Sequence, residues 1–170
     1  MIATEADIVV TPTGVRFMRR RFPFSLGRGG IVSAEAKREG DGATPAGVMR
    51  VVGMLYRPDR IAPPQPWAEP IGPADLWSDD PRDEDYNQLV RAPYPFSHEK
   101  LRRADPMYDL ALVTDWNYPI AQPGKGSAIF VHQWRGPHRK TAGCLAFSRA
   151  DLHWIAARVQ PGTRIIVPNP

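Results

Sequence analysis

The chain has 170 residues, enough for one domain, with 42% hydrophobic residues to supply a core and a net charge of +4. Its 22 Lys and Arg stand against 18 Asp and Glu with one dense run, Arg19-Arg20-Arg21, so the basic stripe interleaved with aromatics that nucleic acid requires is missing. A single cysteine excludes an internal disulfide and every Cys-x-x-Cys metal pattern, and no segment reaches the ~20 apolar residues of a membrane span.

Nineteen prolines are more than twice the usual share of about 5%. Each fixes φ and removes a backbone donor, which predicts few long helices and many turns and ordered loops. The segment Met1–Pro12 carries Glu5 and Asp7, with no basic residue before the short apolar run Ile8–Val10. That differs from a secretory signal. The expectation is a cytoplasmic protein if Met1 is the native start, and a periplasmic one if a leader has been lost.

Ile8–Val10 and Val15–Met18 flank Thr11-Pro12-Thr13-Gly14 and predict a hairpin. Leu26 through Gly47 holds six glycines and few apolar residues, hence a loop; no Gly-Lys-Ser/Thr follows, so it is not a phosphate cradle. Val48–Tyr56 is a near-continuous apolar run and predicts a buried strand. Arg57–Ala104, dense in Pro, Asp and Arg, predicts a long structured insertion with short helical turns. Its aromatics Trp67, Trp77, Tyr86, Tyr94 and Phe96 would pin it to a barrel or sandwich, since loops this long are functional or disordered.

Leu110–Trp116 and Ser127–Trp134 are the next predicted strands, followed by the polar turn Arg135–Ala142 and the short run Gly143–Phe147. A helix is predicted from Ser148, because Ser148-Arg149-Ala150-Asp151 has the form of a capping box. Leu152, Ile155, Ala156 and Val159 recur at helical spacing behind it. Pro161-Gly162 stops the helix and Arg164–Val167 reads as a closing strand. The expected fold is mainly β with minor α, one domain over residues 1–170.

A lone cysteine is usually a small buried hydrophobe. Around Cys144, however, Gly143 permits φ > 0, and the position lies between a polar loop and a capped helix. On such a turn the N–H groups of Gly143 and Cys144 can point outward together as an oxyanion hole. A thiol of ordinary pKa needs a base, and His132, at the end of an apolar strand, is the candidate. Activity should then rise with formation of a thiolate–imidazole pair. His132, His138 and Cys144 make only three irregularly spaced metal ligands with no fourth, so no metal is expected. His98 and His153 have no chemical context in sequence.

The stretch GSAIFVHQWRGPHRKTAGCLAFSRADLHWIAARVQPGTRIIV, residues 126–167, resembles the catalytic segment of the L,D-transpeptidase (YkuD-like) family. Upstream, EGDGATPAGVMRV resembles the family's Thr-Pro-x-Gly signature, with Thr44, Pro45 and Gly47 in place. The resemblance implies a mixed β-sandwich or barrel with one helix in its C-terminal half, an insertion or lid at 57–104 and a catalytic segment at 127–167. It makes Cys144 the acyl-forming nucleophile and His132 the general base. Gly143 and Cys144 become oxyanion donors, and the Gln133 backbone carbonyl the third member behind the base. Thr141, Ala142, Arg135 and Arg139 fall at the substrate. One departure stands out: many members carry His where this chain has Ala142, and Arg139 or Arg135 would have to supply the missing positive charge.

The implied substrate is a peptidoglycan stem peptide, attacked at the L,D bond before a terminal D-alanine; no cofactor is implied and a monomer is expected. A cytoplasmic member would meet recycled tetrapeptides, which favours hydrolysis (L,D-carboxypeptidase). A lid that narrows the acceptor side would favour water, and Arg102 and Arg103 are further candidates for substrate carboxylates. Transpeptidation that forms crosslinks, and a non-catalytic muropeptide-binding module, remain as alternatives.

Overall fold

The computed structural model describes residues 2–170. A hairpin opens the chain: β1 (Ile8–Thr11) pairs antiparallel with β2 (Gly14–Phe17), and β3 (Arg20–Phe22) adds to β2. Two short strands, β4 (Ile31–Val32) and β5 (Thr44–Pro45), pair in parallel inside the region expected to be loop. The long strand β6 (Gly47–Tyr56) is half-buried, not buried as its apolar run predicted. Met49, Val51 and Met54 face a core, while Val48 and Val52 remain 39% and 43% exposed. Alternate residues of a strand point to opposite faces, and only part of the outer face of β6 is covered.

The insertion holds no helix among its described residues. Its prolines, among them Pro58, Pro63, Pro64, Pro66, Pro70 and Pro73, interrupt helical hydrogen bonding over residues 58–73, and beyond them the chain forms turns and short strands. Instead β7 (Glu69–Pro70) pairs with β6, and β8 (Asp75–Ser78), β9 (Leu89–Arg91) and β10 (His98–Lys100) form a separate three-stranded sheet with β8 in the middle. Of the five aromatics, Trp77 and Tyr86 are buried; Phe96 is exposed. Trp77 anchors the insertion, meeting the Phe130 ring edge-on at 4.9 Å between centroids.

β11 (Leu110–Thr114), buried throughout, joins β6 to β12 (Phe130–Gln133). β12 starts later than the predicted Ser127 because Ala128 sits at φ +49°. β13 (Leu145–Phe147) pairs in parallel with β12, and α1 (Arg149–Ala156) follows. Ser148 caps that helix: its Oγ accepts from Asp151 N–H at 3.1 Å and donates to Asp151 Oδ2 at 2.7 Å. Leu152 and Ile155, fully buried, each contribute about 1.5–3 kcal/mol. β14 (Arg164–Val167) inserts between β1 and β6.

The large sheet runs β13-β12-β11-β6-β14-β1-β2-β3. After β3 the chain returns to the opposite edge, where Ser25 bridges Ala146 and Gly27 bridges Thr141, so the sheet is a nearly closed barrel. One core lies inside it with α1, from residues such as Met54, Leu112, Val131, Leu145 and Ile155. A second core lies between the outer face of β6, β11 and β12 and the insertion, and includes Leu55, Val113, Phe130, Trp77, Leu101 and Cys144.

Candidate active site

The register of β12 and β13 decides where the chemistry sits. Val131 is opposite Leu145, and both join the inner core. Side-chain alternation therefore turns Phe130, His132 and Cys144 together to the opposite face, beneath the insertion. Cys144 stands one residue before β13, at the end of the connection from β12.

That connection is closed by Thr141, whose hydroxyl donates to Cys144 O at 2.6 Å and accepts from Gly143 N–H at 3.1 Å. Gly143 has φ +140°, and a Cβ there would lie 2.8 Å from Ala43 O. The glycine is needed for close approach to the Thr-Pro segment. Thr44 Oγ1 donates to Gly143 O at 2.8 Å and accepts from Gly27 N–H at 3.0 Å.

The Cys144 sulfur is held by the backbone of β12's entry: it donates to Ala128 O at 3.1 Å and receives Phe130 N–H at 3.4 Å. Cys144 is 7% exposed. Burial, followed by the Glu99 carboxylate, pushes its thiol up to about 12, against the opposing Phe130 N–H and Lys37. His132 is 3% exposed, and burial pulls its imidazole down to about 4 against the opposing Gln133 carbonyl. Its Nδ1 lies 2.8 Å from Gln133 O. A carbonyl can only accept, so Nδ1 carries the hydrogen and Nε2 holds the free lone pair. The Tyr108 ring meets the imidazole edge-on at 5.4 Å.

Two expectations change here. The resting state is a neutral thiol with a neutral imidazole, not a thiolate–imidazolium pair, because both groups are desolvated. The two oxyanion donors are not free together either, because Gly143 N–H is committed to the Thr141 hydroxyl.

Cys144 and His132 line one cavity of about 620 Å³. Arg135, Arg139, Thr141 and Ala142 line it as well; Gly143 does not, and Gln133 lines a smaller neighbouring cavity of about 260 Å³. Arg103 reaches the larger cavity while paired to Asp105 at 2.6 Å, whereas Arg102 turns away to Asp59 at 3.3 Å. Sequence reasoning missed His98, Glu99 and Lys100 of β10, and also Arg28, Tyr108 and Lys140. β10 carries no motif, and its place over Cys144 depends on how the insertion docks. Six cations, Arg28, Lys100, Arg103, Arg135, Arg139 and Lys140, surround a single carboxylate, Glu99. The mild net charge of the chain is thus concentrated where a ligand would bind. Among the described residues no group of three or more His, Cys, Asp or Glu is arranged to hold a metal, and no helix is long and apolar enough to cross a membrane.

The model of one protein family, described as the L,D-transpeptidase catalytic domain (YkuD), matches residues 8–167. No curated protein and no solved structure matched the chain. The matched span contains Thr44, His132, Cys144 and every strand of the barrel, and the nearly closed, mostly β architecture with a single helix agrees with it. The chain therefore belongs to the L,D-transpeptidase (YkuD) catalytic-domain family and is an enzyme of peptidoglycan chemistry.

Proposed function

We propose that the protein removes the terminal D-alanine from peptidoglycan stem tetrapeptides, by acyl transfer to Cys144 followed by hydrolysis. The observation that carries this reading is the shared cavity: a thiol and an imidazole with its Nε2 lone pair free line one wall, ringed by cations suited to a substrate rich in carboxylates. His132 Nε2 takes the thiol proton as Sγ attacks the carbonyl of the L,D bond. The oxyanion is received by Cys144 N–H, and by Gly143 N–H once Thr141 releases it. The imidazolium protonates the departing amine, D-alanine leaves and a thioester remains. Water, deprotonated by His132, then attacks the thioester; the acid product departs and the thiol regains its proton.

Water is the preferred acceptor because a cavity of about 620 Å³ suits one ligand of moderate size, so the donor fills it. β10 supplies His98, Glu99 and Lys100 to the lining of the same cavity.

Incubating the protein with disaccharide-tetrapeptide and weighing the products tests this. Loss of one alanine supports hydrolysis, a crosslinked dimer identifies a transpeptidase, and unchanged substrate points to a binding module. Cys144→Ala and His132→Ala should each abolish the product.

A further inference from the structure

We propose that Glu99 is the ammonium-recognising group of the cavity, binding a free amine on the donor peptide and selecting diamino-acid stems in which that amine is unblocked. The proposal rests on the reading of the cavity as a peptide site, and it adds the chemical group that the site demands.

Glu99 is the one carboxylate among the residues lining the cavity. Its place is built by two elements. In the insertion sheet Glu99 lies directly opposite Trp77, so the two side chains share a face. The Trp77 ring packs edge-on to Phe130, whose N–H meets the Cys144 sulfur. From below, Tyr108 Oη donates to Glu99 Oε2 at 2.5 Å, and the Tyr108 ring touches His132. Glu99 is thereby held over the reacting pair, with its second oxygen without a hydrogen-bond partner among the described residues.

A lone carboxylate among six cations would ordinarily be neutralised by one of them. The closest cation in effect, Arg103, is instead committed to Asp105. Burial, with the charges of Asp79 and Glu39, pushes the Glu99 carboxyl up against the opposing Tyr108 hydroxyl and Arg103, so an added ammonium would favour the ionised form. The second carboxyl oxygen is left without a partner among the described residues, and an ammonium brought by the substrate supplies one.

The same carboxylate acts on the thiol. Around Cys144, Glu99 disfavours the thiolate and Lys37 favours it. With its thiol pushed up to about 12, Cys144 rests protonated near neutral pH. An ammonium seated on Glu99 cancels the opposing charge next to the sulfur, so the substrate itself eases the ionisation that attack requires. A peptide without the amine would bind less well and leave the thiol harder to activate.

The test uses disaccharide-tetrapeptide with a free side-chain amine on its third residue and the same molecule acetylated there. In the Cys144→Ala protein, titration calorimetry should show the free amine binding about tenfold or more tightly, a ratio that Glu99→Gln reduces to near one. Equal affinities, or a ratio that survives Glu99→Gln, overturn the proposal; the comparison with Glu99 intact is decisive by itself if the Gln variant does not fold. In protein retaining Cys144, the alkaline rise of iodoacetamide alkylation should move about one pH unit lower in Glu99→Gln. Superimposable profiles would overturn the coupling. Selective binding without D-alanine release sinks the hydrolytic reading and leaves Glu99 its role; D-alanine release with equal affinities does the reverse.

Discussion

Thr44 Oγ1 donates to the Gly143 carbonyl at 2.8 Å across 99 positions of sequence, and both groups are buried. One hydroxyl thereby joins the Thr-Pro-x-Gly segment to the turn that carries the nucleophile. It also accepts from Gly27 N–H, so it satisfies two backbone groups at once. Thr44→Val keeps the shape and strands both partners. A loss of about 1–3 kcal/mol in denaturant unfolding is expected, with a larger proportional loss of D-alanine release because the turn beneath Cys144 loosens. Unchanged stability and turnover would show that the turn holds its shape without this bond.

Gly143→Ala should be the more damaging change on the other side of the same contact. The residue would have to adopt φ +140° and place its Cβ 2.8 Å from the Ala43 carbonyl, a backbone atom with little freedom to move. Strain on the order of 1–3 kcal/mol is expected in stability. Peptide turnover should fall below a hundredth of its original rate, read by mass spectrometry at equal folded protein.

Stability should fall off on both sides of a plateau, for opposite reasons. His132 titrates near 4 in the folded protein against an ordinary 6.5. Its contribution is therefore present above 6.5 and lost as pH falls towards 4. Cys144 is held to about 12 against an ordinary 9.0, so its contribution is present below 9.0 and lost as pH rises towards 12. His132→Gln should flatten the acid limb and Cys144→Ala the alkaline one in denaturation midpoints measured across pH. Asp7, pulled to about 2 chiefly by its hydrogen bond to Arg164, affects only the region below about 3.8 and separates from His132.

Arg135 and Arg139 line the cavity, and neither takes part in an ion pair among the described residues. Replacing both by Ala should raise KM about tenfold with kcat within a factor of about three, since they bind ground and transition states alike. The salt sensitivity of kcat/KM should shrink in parallel. A fall in kcat at constant KM would assign them to the reacting centre instead.

Much of this was legible in sequence where short-range signals decide structure. The hairpin around Pro12, the cap at Ser148 and the closing strand Arg164–Val167 rest on local turn chemistry, and all three occur as read. Sequence singled out Cys144 and His132 because glycine and a polar turn mark a bend near a strand end, and the two residues line one cavity. The state of those two groups was not legible, since Cys144 is buried in a cluster with Trp77, Leu101 and Tyr108, and Tyr108 packs on His132, all far away in the chain. β10 was invisible for a related reason: three residues give too short an alternation, and its partners belong to the insertion. The exposure of Val48 and Val52 was hidden as well, because an apolar run does not reveal that one face of its strand is only partly covered.

Within the insertion β8, β9 and β10 pair with one another, while His132 and Cys144 are fastened to the barrel. Ceiling and floor thus belong to separate sheets, joined by the Trp77 ring on Phe130 and by hydrogen bonds such as Ala128 N–H to Asn87 Oδ1 at 2.9 Å. Drift in the ceiling can change which molecules are admitted without disturbing the reacting atoms. Relatives sharing the floor but carrying a different stretch between residues 57 and 104 are expected to keep the reaction and differ in diet.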